Sequence, residues 1–110
     1  MIEIRKGLEI SEELFSEIEN AVDITFEDEA TQKKLKASIA RGIGRIRSWS
    51  SDLALDVEDD DTACQLLIDY VRYDLNGMSD AFRENYAPDI ASLRLRKEAA
   101  AVGEETTTDV

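Results

Sequence analysis

The stretch from Ala63 to Leu75 constrains this chain more than any other. Within it only Gln65, Asp69, Arg72 and Asp74 are polar, so Ala63, Cys64, Leu66, Leu67, Ile68, Tyr70, Val71, Tyr73 and Leu75 leave almost no face for solvent. A helix that is apolar on nearly every side must be surrounded. In a chain of 110 residues the cover comes either from the few other elements, with this helix as the central rod of a small bundle, or from neighbouring copies. The length suits one domain that buries a modest core without disulfides.

The flanking sequence supplies candidate elements. Ser11 is placed to cap a first helix in which Leu14, Phe15, Ile18, Ala21 and Val22 recur at three and four residues, with Glu12 and Glu13 in the first turn, where the helix dipole favours anions. A second helix is expected from Thr25, with Asp28 three residues on in a capping-box arrangement. Its apolar stripe is Leu35, Ile39, Ile43 and Ile46, with Gly42 on the same side. Gly42 and Gly44 each cost a helix about 1 kcal/mol relative to alanine, which implies that a backbone packs closely here or that the helix bends. Residues 50–61 lack a helical period and read as a long loop, in which Leu53, Leu55 and Val57 alternate as a brief extended piece would. Asp61 or Thr62 is expected to cap the third helix and Asn76-Gly77 to end it in left-handed backbone. Ser79 is expected to cap a fourth run carrying Phe82, Tyr86, Ile90 and Leu93, which Pro88 should kink or split near Tyr86. From Ala99 the chain is small and polar, and Thr106–Thr108 suits an added strand. The expected fold is therefore all-α: a small bundle of about four helices over residues 1–98, with an acidic loop between helices 2 and 3. Residues 99–110 would form an extended tail anchored on a partner.

Charge falls in blocks. The total is −12, from 13 basic and 25 acidic residues. Residues 1–29 sum to −8, 30–51 to +6, 52–61 to −6 and 62–110 to −4, so the chain is strongly polarised. Such a balance argues against DNA or an acidic membrane as the main partner, because that binding rests on Lys and Arg neutralising phosphates. No apolar run approaches the roughly 18 residues of a membrane span. Met1 to Ile10 alternates apolar and charged residues and does not read as a signal peptide.

Little chemistry is offered. With no histidine the commonest general base, metal ligand and pH switch is missing. The glycines of Arg41-Gly42-Ile43-Gly44-Arg45 lie within a helical pattern and make no phosphate loop. Counted from Asp56, a calcium loop would need a turn glycine where Asp61 stands and a bidentate glutamate where Leu67 stands. The single cysteine, Cys64, reads as a small buried hydrophobe in a chain suited to a reducing compartment. No carboxylate pair falls in an apolar pocket that would tune it. The expectation is a protein that is not an enzyme and carries no cofactor or metal.

The basic second helix has two readings. As a nucleic-acid patch it would use Lys33, Lys34, Lys36, Arg41, Arg45 and Arg47 with Trp49 as a stacking residue, but the acidic blocks on either side repel the same phosphates. As a protein-facing surface it has a complement within the sequence, the acidic loop or first helix of another copy. Lys34, Arg41 and Arg45 share one face at about 100° per residue. A basic patch meeting an acidic one elsewhere on the next subunit is a head-to-tail contact, which closes into a ring where the rotation allows.

Ala63, Leu66, Leu67, Arg72, Tyr73 and Asn76, followed by Phe82, Asn85, Tyr86, Ile90, Leu93 and Arg94, form a pattern that resembles the adaptor, or head-tail connector, proteins of phages with long non-contractile tails. The resemblance covers roughly residues 20–98. The Ile2–Ile10 extension and Pro88 depart from it. It implies a small helical virion protein, assembled in the host bacterial cytoplasm, forming a ring of about twelve copies under the portal. Such a ring extends the DNA channel, receives a stopper or tail-completion protein, and lets double-stranded DNA pass without tight or specific binding; no membrane is involved. The inter-subunit candidates are Lys34, Arg41, Arg45, Arg72 and Tyr73. The channel- or stopper-facing candidates are Asp56, Glu58, Asp59, Asp60 and Asp61, an acidic wall along which phosphates slide. The portal-binding candidates are Val102, Glu104, Thr106, Thr107, Thr108 and Val110. Two other classes compete: an acidic helical regulator or DNA mimic occupying a basic protein groove, and a small metal-dependent enzyme using the acidic loop.

Overall fold

In a computed structural model of the chain, residues 1–23 and 28–108 are described, with side chains to residue 100. Among them lie two strands and five helices: β1 (Ile2–Arg5), β2 (Leu8–Ile10), α1 (Glu12–Ala21), α2 (Glu29–Trp49), α3 (Asp61–Leu75), α4 (Ser79–Asn85) and α5 (Ala87–Thr108).

The hairpin corrects the all-α expectation. β1 and β2 are antiparallel, with Ile2 opposite Ile10, Glu3 opposite Glu9 and Arg5 opposite Leu8. Gly7 supplies the positive φ (+83°) that the two-residue turn needs. The alternation that spoke against a signal peptide is a strand period, with Ile4 and Ile10 facing the core and Glu3 and Glu9 facing solvent.

Helix boundaries follow their caps. Ser11 Oγ accepts the Leu14 N–H at 3.1 Å, as expected. Thr25 lies outside the described residues; Asp28 caps α2 through the Thr31 N–H at 3.2 Å. The cap of α3 is Asp60, one residue before the expected pair, accepting the Ala63 N–H at 3.0 Å. At the end of α3 only Gly77 is left-handed (φ +72°). Ser79 is the first residue of α4 and not its cap; Met78 holds that position without a side-chain bond, its own N–H returning to the Tyr73 carbonyl at 2.8 Å. Pro88 divides the last run between α4 and α5 and sits in the first turn of α5, where its missing N–H costs nothing.

The extended tail is the second correction. α5 continues to Thr108, through the region read as a frayed tail or added strand. The alanines at 99–101 are the strongest helix formers, and no proline follows Pro88 to stop them.

α3 is the central rod. It packs on α1, α2, α4 and α5, and Ala63, Leu66, Leu67, Tyr70 and Val71 are buried by the chain itself. Its apolar character therefore does not require neighbouring copies. The most extensive contact is with α2, whose Leu35, Ile39, Ile43 and Ile46 are buried. Gly42 sits in that seam: a methyl group there would lie 2.8 Å from Leu67 Cδ1 and from Tyr70 Cδ1. Gly44 has open space where a methyl would go, so Gly44→Ala should raise the unfolding free energy by up to about 1 kcal/mol in a denaturant titration. β1 lies against α2, and Phe82, Ile90 and Leu93 close the core from α4 and α5.

Candidate interaction surface

Residues 50–60, which join α2 to α3, are built from turns, with no strand, and Asp61 is already the first residue of α3. Val57 is buried and Leu55 partly so, whereas Leu53 is 79% exposed. Its carboxylates organise it. Asp52 accepts the Ala54 N–H at 3.2 Å and Asp56 the Glu58 N–H at 3.0 Å, both two residues on. Glu58 Oε1 accepts the Ser11 N–H at 2.6 Å, tying the loop to the N-terminus of α1. Asp60 also meets the Arg96 guanidinium at 2.9 Å, and Asp52 lies 3.7 Å from Lys97 Nζ. Of the five channel-facing candidates, Asp56, Glu58 and Asp60 thus spend part of their acceptor capacity on the loop, whereas Asp59 and Asp61 are exposed with no such bond among the described residues.

Burial raises the Asp60 carboxyl, but the Ala63 N–H and Arg96 outweigh it and hold the group below the usual carboxylate range. A carboxyl depressed in the folded state stabilises above its unfolded value, about 3.9, and loses that contribution as pH falls through the folded value. Asp60→Ala should therefore cost about 1 to 2 kcal/mol at neutral pH. Its gap from wild type should narrow as denaturation is repeated towards pH 3.

The outer side of α2 forms an open groove of about 800 Å³ against β1. Its floor is Ala37, Ala40, Gly44 and Ser48, three and four residues apart, with Ile4 and Trp49 also in the wall. Arg5, Lys33, Lys36, Arg41 and Arg45 supply the charge, and no carboxylate lines it. Arg41 is the one firmly paired, to Asp74 at 2.6 Å; that hydrogen bond raises the guanidinium pKa, and burial, which would raise the Asp74 carboxyl, is outweighed by Arg41 together with Ser38 and the Arg45 charge, so the carboxyl is depressed. Lys33 has a loose exposed pair with Glu29 at 3.8 Å. Among the described residues Arg5, Lys36 and Arg45 have no ion pair.

Arg41 and Arg45 thus fall together as foreseen, but Lys34 is exposed and takes no part in the groove lining. Arg72 and Tyr73 sit elsewhere, in a recess with Asn76, Met78 and Tyr86. Tyr73 also packs edge-on to Phe82 at 5.5 Å, and the Tyr86 phenol is pushed up to about 12 by burial and the Asp69 charge. Trp49 is stacked on Phe82 at 5.9 Å with the Arg83 guanidinium 6.0 Å from its ring, so it is half engaged by the core and not a free stacking platform. The contribution of Arg5 was missed. The signal lay in the hairpin, which turns Ile4 inward and leaves Arg5 beside α2.

Comparison with protein-family models, with curated proteins and with solved structures returned no match. Among the described residues no three or more acidic or cysteine side chains are grouped to hold a metal ion, and no helix is long and apolar enough to cross a membrane. Val102, Glu104, Thr106, Thr107 and Thr108 occupy the last two turns of α5, with side chains outside the described residues; Val110 lies outside them altogether.

Proposed function

We propose that the protein is a structural virion component, a head-tail adaptor that forms a ring under the portal of a long-tailed phage, extends the DNA channel and joins the head to a stopper or tail. The observation that carries this reading is the segregation of charge: a five-cation groove with no carboxylate on a chain of net charge −12. A surface of that kind fits a head-to-tail contact between copies. The acidic remainder suits a conduit that must not hold DNA. The order of helices, with an acidic loop before a central apolar helix, agrees with the resemblance carried by residues 63–94. In this reading α5, running on beyond Leu93, the last buried core residue among those described, reaches the portal with its final turns.

α3 gives this reading little support, because the chain itself buries Ala63, Leu66, Leu67, Tyr70 and Val71. That same coverage favours a second reading, an acidic helical regulator or DNA mimic acting as a folded monomer on a basic partner. A stop codon at Cys64 in the phage or prophage genome separates the two. Electron microscopy of lysates should then find heads and tails apart, with heads leaking DNA. Joined, full particles would remove the connector role and leave the regulator.

A further inference from the structure

The groove on α2 and the outer side of α1 carry matching patterns. On α2 the small floor residues Ala37, Ala40 and Gly44 run between cations. A strip without side-chain bulk lets another helix approach closely, since the distance between helix axes is set by the side chains at the contact. On α1 the exposed residues are Glu12, Glu13, Ser16, Glu17, Asn20 and Ala21. At about 100° per residue, short Ser16 and Asn20 form a central strip with Glu12 on one side and Glu13 and Glu17 on the other.

None of these three glutamates has an ion pair among the described residues, just as Arg5, Lys36 and Arg45 have none. The acidic side is reinforced by Glu58, which is bonded to the α1 N-terminus. The negative field there is strong enough that Glu17, Glu58 and Asp61 add to burial in raising the Cys64 thiol. Both helices pack on α3, so the two surfaces are fixed parts of one body.

We infer that the α2 groove receives the outer side of α1 from a second copy of this chain. Glu12, Glu13 and Glu17 would lie beside Lys33, Lys36 and Arg45, and Ser16 would cross the strip at Ala40 and Gly44. The two surfaces are different patches, so the contact is heterologous and propagates from copy to copy. A nucleic-acid backbone would meet the same cations against the long-range repulsion of a chain of net charge −12, whereas α1 of a second copy offers discrete glutamates beside a strip of short side chains that matches the floor of the groove. The contact specifies the copy-to-copy interface of the reading above and rests on its self-association, not on its place in a virion.

The test is zero-length carbodiimide cross-linking of the full chain at low salt, using an equal mixture of ¹⁴N- and ¹⁵N-labelled protein so that intermolecular peptides carry both labels. Peptides joining Lys33 or Lys36 to Glu12, Glu13 or Glu17 are expected, fading as salt screens the contact. K36E/R45E and E13K/E17K are all changes at exposed or groove positions, and circular dichroism verifies that each variant keeps its fold. Each alone should lose the mixed-label peptides and any rise of mass with concentration in sedimentation. Mixed together they should regain association, because each groove then faces an α1 of opposite charge. Unchanged association of either variant alone, no recovery on mixing, cross-links between other elements, or a wild-type chain that stays monomeric would each overturn the contact. The lysate phenotype of the stop codon is read independently, so joined particles alongside a positive charge swap would remove the virion role and keep the interface.

Discussion

Phe82→Ala should lower the unfolding free energy by about 3 to 5 kcal/mol, the cost of emptying a buried aromatic site. Phe82 has no solvent exposure and is the hub of an aromatic cluster drawn from three helices and the junction between α4 and α5. It stacks on Tyr86 at 4.4 Å and on Trp49 at 5.9 Å, and meets Tyr70 and Tyr73 edge-on at 5.3 and 5.5 Å. Such pairs are worth about 0.5 to 1.5 kcal/mol each beyond their buried area, so truncation loses both the transfer term and the geometry. Against a total of roughly 5 to 15 kcal/mol for a domain, the variant should approach the edge of folding at physiological temperature. A urea titration followed by Trp49 fluorescence measures it directly, because Trp49 is one of the rings stacked on Phe82. Phe82→Leu should recover a large part of the loss, since the hole is then mostly filled.

The second large effect is at Gly42. An added Cβ already falls 2.8 Å from two side-chain atoms of α3, so Gly42→Leu must push α2 and α3 apart along the longest seam in the molecule. A cost of about 3 kcal/mol or more is expected, at or beyond the usual upper range for overpacking. Gly42→Ala is the informative partner. It gains about 1 kcal/mol of helix propensity and loses about 1 to 3 from the clash, so its net effect should be a small destabilisation. Two glycines two residues apart should thus respond with opposite sign to the same substitution, Gly42→Ala lowering the denaturation midpoint and Gly44→Ala raising it. Equal responses would mean that the seam relaxes more freely than its geometry indicates.

Much of the helical core was legible because burial imposes a period. Leu35, Ile39, Ile43 and Ile46 face inward as their spacing demands, Gly42 marks a close approach, and α3 is the rod around which the rest is arranged. The hairpin was not read, because its strands are only four and three residues long and the alternation was set against a signal peptide instead of being tested as a strand. The continuation of α5 beyond Ala99 was missed for the opposite reason: alanines and threonines give no apolar period, so only propensity argued for it.

The acidic loop shows where charge alone misleads. A run of carboxylates looks like a surface waiting for a ligand, yet Asp52, Asp56 and Asp60 are each turned onto a neighbouring backbone N–H, which sequence can place only when the local φ/ψ is known. Arg5 entered the candidate surface through tertiary contact, thirty or more residues away from most of the cations it joins. Of the foreseen interface residues, Arg41 and Arg45 share a groove, whereas Arg72 and Tyr73 belong to another part of the molecule.

The order in which α3 is covered has a consequence for biosynthesis. The helices that flank it before residue 61 leave the ribosome first, but Phe82, Ile90 and Leu93, which seal its other side, are made last. A nascent chain that has emerged only to Asn76 holds its most apolar helix half bare, and domains assemble in the order in which they are synthesised. Completion of the core is therefore tied to the final third of translation, and a ribosome that stalls between α3 and α5 would present a sticky fragment to chaperones and proteases. The same dependence means that fragments ending before Leu93 should be cleared instead of accumulating as rivals for whatever surface the finished protein occupies.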